Sequence, residues 1–139
     1  MSVFSKLLSV LCVMMSGLLF ASVSQADSPA AYIISPADGD VVTSPVLVRF
    51  GLSGMGVAPA GTDKAGTGHH HLLIDVDELP DLTKPVPADA NHRHFGGGQT
   101  EVSLELESGE HTLQLLLGDK NHIPHNPPVV SEQITITVE

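Results

Sequence analysis

Gly66-Thr67-Gly68-His69-His70-His71-Leu72-Leu73-Ile74-Asp75-Val76 places three histidines directly before an apolar run that has the character of a β-strand. Side chains alternate between the two faces of a strand, so His69 and His71 share one face while His70 lies on the other. The alternation leaves two arrangements open: His70 can be the ligand while His69 and His71 are structural, or His70 and Leu72 can face the core, with His70 at its rim. His69 and His71 then project together from the opposite face, where both can bind one metal ion.

The segments around this strand are also short, and they alternate polar with apolar residues or carry β-branched runs between turn-forming residues. No long stretch of the chain shows apolar residues at helical spacing. The pattern predicts an all-β fold: a small immunoglobulin-like antiparallel β-sandwich of six or seven strands, with a barrel as the alternative. The predicted strands lie near residues 32–34, 41–42, 46–52, 69–76, 102–106, 111–117 and 129–138.

Residues 1–26 have the features of a cleaved signal peptide. Lys6 precedes an apolar run, and Ser24 and Ala26 stand at the positions that signal peptidase requires to be small, which predicts cleavage before Asp27. The apolar run is shorter than the roughly 20 residues of a membrane span, so an uncleaved anchor is the less favoured alternative. Residues 27–139 are then expected to form a single β-sandwich domain in the periplasm or outside the cell, without membrane contact.

Residues 27–139 are acidic and contain no cysteine. Five basic residues stand against all 16 acidic residues of the chain, which gives this part a formal charge of −11. That balance argues against nucleic acid or an anionic membrane as a partner, because both require basic patches. Cys12, the only cysteine, lies in the predicted signal peptide, so a metal site must use histidine, methionine or carboxylate ligands.

Seven of the eight histidines fall into three groups at strand ends and in loops. Besides the triple histidine, these are His92-Arg93-His94 and His122-Ile123-Pro124-His125. The leading predicted metal ligands are His69, His71, His92 and His94, with His70, His122 and His125 as further candidates. A nitrogen site without thiolates accepts copper or zinc, and we expect copper first because divalent affinity peaks at copper.

The expected function is therefore a periplasmic, histidine-rich metal-binding protein that acts in binding, buffering or delivery, with another periplasmic protein as a conceivable partner. Two alternatives stay open: a metal-free interaction module whose histidines brace loops, and a metal-dependent enzyme with Asp75 or Glu101 as a base. Met55 is a further candidate, as a soft axial ligand for copper. His111 is expected to be structural.

The combined motifs resemble the small exported bacterial proteins of the family called domain of unknown function 4399. The resemblance covers nearly all of residues 27–139, and it implies no activity because the family name describes none. The residues that carry it are Gly68-His69-His70-His71-Leu72-Leu73-Ile74-Asp75, Asn91-His92-Arg93-His94-Phe95-Gly96-Gly97-Gly98-Gln99-Thr100-Glu101, Gly109-Glu110-His111-Thr112-Leu113, Leu117-Gly118-Asp119 and Asn121-His122-Ile123-Pro124-His125.

Overall fold

The computed structural model describes residues 27–139, so the predicted signal peptide lies outside the described residues. These residues contain no helix, and hence no helix that is long and apolar enough to cross a membrane. The strands are β1 (Ala30–Ser35), β2 (Val41–Val42), β3 (Val46–Ser53), β4 (Gly56–Val57), β5 (Thr67–Ile74), β6 (His92–His94), β7 (Glu101–Leu104), β8 (Gly109–Gly118) and β9 (Ile134–Val138).

The smaller sheet has three antiparallel strands in the order β1-β3-β7. Strand β3 shows why this segment is a strand: Val46, Val48 and Phe50 are buried, whereas Leu47 and Arg49 between them are exposed. An alternation of period two buries one face of a sheet and leaves the other in solvent. The buried face of β3 is one wall of the core.

The larger sheet has the order β2-β9-β8-β5-β4, and β6 pairs with β5. Strands β5 and β8 are antiparallel from the pair His69–Gly118 to the pair Ile74–Leu113. The short strands β4 and β6 share the other edge of β5, one near each end. Two short pairs, β2 with β9 and β4 with β5, are parallel, which differs from the all-antiparallel pairing that was expected.

The main core lies between the two sheets. Leu72 of β5 and Leu115 of β8 contribute to it from the larger sheet, and Val48 and Phe50 from the smaller one. Two sheets that enclose one core, without closure into a barrel, confirm the predicted all-β sandwich-like fold. The alternation in β5 is as predicted, since Leu72 belongs to this core and Leu73 to a separate cluster.

The long connection between β5 and β6 covers the outer face of the larger sheet. We call residues 75–91 the covering loop. Its Val86 is buried against Leu73 and Leu116, which point outward from β5 and β8. Asn91 ties the end of the loop to the sheet, because its Nδ2 donates a hydrogen bond to the carbonyl oxygen of Ile74 at 2.8 Å. The outward side chains of β5 are therefore enclosed rather than exposed to solvent.

The last strand is shorter than predicted. Strand β9 begins at Ile134 rather than near Val129. The chain at residues 129–131 still runs beside β8, but the Ser131 hydroxyl accepts the Leu115 N–H at 2.8 Å in place of a backbone carbonyl. A side-chain acceptor interrupts the regular backbone ladder, so only an isolated bridge between Leu116 and Val130 remains.

Candidate metal centre

Strand β5 directs His69 and His71 to the outer face of the larger sheet, as the alternation predicts. Both side chains are fully buried, because β8 and the covering loop enclose this face. Gly118 of β8, which pairs with His69, makes room for the neighbouring ring: a Cβ at this position would overlap His71 Cε1 and lie 3.0 Å from Nδ1. The close approach of β8 thus fixes where the His71 ring can lie.

His122 approaches the same two rings from the loop after β8. Its φ of 66° is in the left-handed region, which non-glycine residues seldom adopt. Asp119 stabilises this conformation, since its Oδ1 accepts hydrogen bonds from the N–H groups of Asn121 and Ile123 at 2.8 and 2.9 Å. The strained backbone is thus held by a hydrogen-bonded turn, a feature that is common at functional sites.

The three histidines form a compact group. One ring nitrogen from each of His69, His71 and His122 lies within 4.8 Å of the corresponding atoms of the other two. The closest pair is His69 Nε2 and His122 Nδ1, which are 2.9 Å apart and share a hydrogen bond. Four-coordinate ligands at 2.0–2.1 Å from an ion stand about 3.3 Å from one another, and the spacing within this group, up to 4.8 Å, is of the same order.

His94 lies beside the group without being one of its three close members. Its ring centroid is 4.4 Å from that of His71, which is its partner in the β5–β6 pairing. It also stacks on His122, with centroids 4.8 Å apart. The Nε2–H of His94 donates to the Pro87 carbonyl oxygen at 3.0 Å, so its Nδ1 carries the lone pair in the neutral ring.

The covering loop contacts His122 of the group and the neighbouring His94. The Val86 N–H donates to the His122 carbonyl oxygen at 2.9 Å, and the Pro87 carbonyl oxygen accepts a hydrogen bond from the Nε2–H of His94. These bonds attach one loop to two histidines that come from different parts of the chain. The loop therefore excludes solvent from the rings and holds His94 against them.

Burial keeps the histidines of β5 neutral. It lowers the pKa of His69 from 6.5 to about 4 and the pKa of His71 to about 3, and the neighbouring histidines lower both further by charge repulsion. Asp119 acts in the opposite direction on the pKa of His69, because its negative charge favours a positive charge nearby. The site thus presents neutral imidazoles, the form that binds metals, beside a carboxylate that stabilises a cation.

Several ring nitrogens of the group have no hydrogen-bond partner among residues 27–139. They are both nitrogens of His71 and the Nδ1 of His69. A buried polar atom without a partner costs about 1–3 kcal/mol, so native structures contain few of them. An imidazole binds an ion through one of its two nitrogens, so an ion held by the group would remove this cost at one nitrogen of His71, and neutral imidazole is a donor that copper and zinc accept. The three histidines could thus hold a metal ion.

The other predicted ligands lie elsewhere. His92 faces the same side of β6 as His94, but its Nδ1 pairs with Asp89 Oδ1 at 2.8 Å, and it lies outside the group of three. His70 points into the core, where its ring centroid is 5.3 Å from that of Phe50. His125 lies over Gly68, where a Cβ would come within 2.8 Å of the His125 Nε2.

The two carboxylates that were considered as catalytic bases have other partners. Asp75 Oδ2 accepts a hydrogen bond from His111 Nδ1 at 2.8 Å, and Glu101 pairs with Arg49 at 3.3 Å on the smaller sheet. His111 also donates from Nε2 to the Glu107 carbonyl oxygen, so both ring nitrogens face oxygen acceptors and Asp75 raises its pKa. His111 therefore has the hydrogen-bonded, structural surroundings that were expected of it.

Sequence reasoning ranked His122 below His92, and the geometry reverses that order. The signal for His122 lies in its neighbours: Gly118-Asp119 at the end of β8 followed by a short turn. Aspartate commonly accepts backbone N–H groups two or more residues further on, which predicts a tight turn at this point. Because β8 pairs with β5, a tight turn after β8 returns the chain to the start of β5, where the triple histidine lies.

A family model described as "Domain of unknown function (DUF4399)" matches residues 48–139, which include every histidine of the chain. The chain belongs to this family. The match confirms the resemblance found in the histidine motifs, and it places the candidate metal centre inside the DUF4399 domain. No curated protein and no solved structure matches the chain.

Proposed function

We propose that this DUF4399 protein binds one transition metal ion through His69, His71 and His122, with copper as the first choice and zinc as the second. The observation that carries the proposal is the convergence of three ring nitrogens within 4.8 Å of one another, two of them from buried histidines and one from the half-buried His122. These histidines come from a strand and a distant loop, so their convergence is a product of the fold. Two of them are neutral at pH 7 because burial lowers the pKa of each.

The choice of copper rests on the donors and on the order of affinities. The group offers imidazole nitrogens alone, and such sites bind copper(II) more tightly than zinc when both are free. Zinc follows because it accepts three histidines and one further ligand in tetrahedral geometry. Asp119, whose charge acts on His69, partly balances the positive charge of either ion.

The proposed role is binding, buffering or delivery of the metal in the periplasm. The location rests on the predicted signal peptide, and cell fractionation tests it directly. A role in loop bracing alone fits the rings less well, since bracing histidines have well-aligned hydrogen-bond partners, whereas the buried Nδ1 of His69 has none in the described chain and His71 has only a poorly aligned contact with the Leu116 backbone. An enzymatic role has weaker support, because both candidate bases are engaged elsewhere.

The test is titration of the protein, purified without a histidine tag, with copper(II) and then with zinc(II). We expect one equivalent of either ion to bind. His122→Ala removes a direct ligand, so we expect its affinity to fall by at least about 100-fold, the upper end of what the loss of an outer partner costs. His92→Ala is the matched control, because it removes a histidine that pairs with Asp89 instead.

We expect a loss of affinity in His122→Ala without a loss in His92→Ala only if His122 is a ligand. Equal affinities for His122→Ala, His92→Ala and the wild-type protein contradict the proposal. So does wild-type protein that binds neither ion at pH 7. Circular dichroism of each variant shows whether the β structure is retained, which separates ligand loss from unfolding.

An interaction surface is a second candidate function, and one observation favours it. On the outer face of the smaller sheet, Tyr32, Ile34 and Leu47 are 47%, 57% and 43% exposed. Exposed apolar side chains on one sheet face are typical of surfaces that contact other proteins. Chemical cross-linking in cells tests this surface: Ile34→Asp is expected to abolish any cross-linked partner of the wild-type protein without changing metal affinity.

A further inference from the structure

The loop after β8 contributes one histidine to each face of the larger sheet. His122 lies with His69 and His71 in the three-histidine group on the outer face. His125, three residues later, lies over Gly68, which shares the inner face of β5 with His70. An isolated bridge between Gly118 and Pro124 closes the loop between these two histidines. His125 is therefore close to β5, yet separated by the strand from the site described above.

Gly68 is the residue that permits this arrangement. A Cβ at position 68 would lie 2.8 Å from His125 Nε2, 2.9 Å from Leu117 Cγ and 2.7 Å from the Gly118 carbonyl oxygen. The first two atoms belong to side chains, but the third is backbone and has little freedom to move. Glycine at this position therefore allows the His125 ring to lie against the strand.

His125 Nε2 is a buried donor atom without a hydrogen-bond partner in the described part of the chain. Such an atom is costly to bury, as in the outer group, so a ligand that reaches the ring would offset a cost that the fold otherwise carries. The same side chain lines a cleft of about 360 Å³ beside the core. Its neighbours in the wall are Ser28, Pro29, Met55, Asn126, Pro127, Pro128 and Val129.

Met55 brings a second metal-binding atom to this cleft. The residue is half-buried and packs against the main core, so its position is supported on one side while the other side lines the cleft. A thioether is a soft ligand that favours copper(I), and imidazole accepts the same ion. No carboxylate is among the described residues that line the cleft, which disfavours hard cations such as calcium and magnesium.

We propose that Met55 and His125 form a second metal site, for copper(I), in the cleft on the inner side of the larger sheet. The site is separate from the three-histidine group and does not depend on it. Its ligand set differs in kind, with a thioether and an imidazole in a mostly apolar cleft instead of three imidazoles beside a carboxylate. The protein would thus bind a copper(I) ion and a divalent ion at two distinct positions.

The test uses the single methionine of residues 27–139 as a probe. The chain has four methionines, and the other three lie within residues 1–15. The full chain is expressed with ¹³C-methyl methionine and titrated with copper(I) without oxygen, then in a separate sample with zinc(II). We expect the Met55 methyl resonance to shift with copper(I) and to stay in place with one equivalent of zinc(II). Met55→Leu identifies that resonance.

A competition titration against a coloured copper(I) chelator measures the affinity. Met55→Leu retains the apolar volume and removes the sulfur, so we expect copper(I) affinity at this site to fall about 10-fold or more, as for other losses around a metal. His125→Asn is expected to give a similar fall. His92→Asn serves as the control, because it removes a histidine that lies outside both sites, and its copper(I) affinity should equal that of the wild-type protein.

The outcomes separate this site from the outer one. If His69→Ala/His71→Ala abolishes zinc binding while the copper(I) shift of Met55 persists, the two sites are independent and both proposals hold. A shift of Met55 in a protein that does not bind zinc supports the inner site alone. An unmoved Met55 resonance at excess copper(I), or copper(I) affinity unchanged in Met55→Leu, overturns the inner site.

Discussion

Acid is expected to destabilise the metal-free protein through the three consecutive histidines of β5. Burial lowers the pKa of His69 and of His70 from 6.5 to about 4, and that of His71 to about 3. At pH 5 these rings are neutral in the folded chain but protonated in the unfolded chain. Because the unfolded chain then binds more protons, the stability present above pH 6.5 is lost progressively as the pH falls toward 4.

The size of the effect follows from these pKa values. Between pH 7 and pH 5 a histidine shifted from 6.5 to about 4 loses about 2 kcal/mol of stability, and the other two rings act in the same direction. A small domain is stable by only about 5–15 kcal/mol, so this is a large fraction of the total. His70 provides the cleanest single test, since burial alone lowers its pKa and its ring packs against Phe50 in the core.

The assay is urea unfolding of the chelator-treated protein at pH 7 and pH 5, followed by circular dichroism because the chain has no tryptophan. We expect the pH-dependent loss to be smaller by about 2 kcal/mol in His70→Leu than in the wild-type protein. His111→Gln is a control of opposite sign: Asp75 raises the pKa of His111, so protonation of His111 stabilises the fold in acid and its removal steepens the loss. The same loss in His70→Leu and wild type, or a gain of stability in acid, refutes the reasoning.

Three further perturbations test the surroundings of the metal centre. Gly118→Ala places a Cβ against the His71 ring, so we expect about a 10–100-fold loss of zinc affinity by calorimetry, and unchanged affinity would contradict the fit. Asp119→Asn keeps an oxygen acceptor but removes the charge, whereas Asp119→Ala removes both. We expect copper to bind more weakly to both variants than to the wild-type protein, and most weakly to Asp119→Ala. Asp75→Asn weakens the contact with His111. Urea unfolding should show a loss of stability of about 1 kcal/mol at pH 5 and a smaller loss at pH 9. The reason is that Asp75 raises the pKa of His111, so the contact stabilises the fold mainly at low pH, where His111 is protonated. An equal loss at both pH values would argue against that assignment.

The β5 part of the site was predictable because it is local. Alternation along a strand needs only the order of residues, and it places His69 and His71 on one face and His70 on the other. The same rule places His92 and His94 on one face of β6. It does not give the register, however, and the observed pairing sets His94 opposite His71 and His92 opposite Leu73. Two residues along a strand span about 6.6 Å, and this distance is enough to keep His92 out of the group.

The position of His122 beside His69 and His71 was not predictable from spacing because it depends on tertiary structure. Its ring reaches the group because Gly118 pairs with His69, and because Asp119 stabilises a backbone with φ of 66°. The enclosure of the site is likewise a tertiary property. Residues 77–91 are rich in Pro and Asp and show no periodicity, yet Val86 packs on the sheet and donates to His122. The composition of this segment gives no sign of the surface that it covers.

X-ray absorption at the copper edge, on protein loaded with one equivalent of copper(II), tests the metal site most directly. Imidazole ligands are recognised by their nitrogen at about 2.0 Å and by scattering from the outer ring atoms. We expect three imidazole ligands in the wild-type protein and two in His122→Ala. A shell of oxygen ligands without imidazole scattering, or a spectrum that is identical in the wild-type protein and His122→Ala, would contradict it.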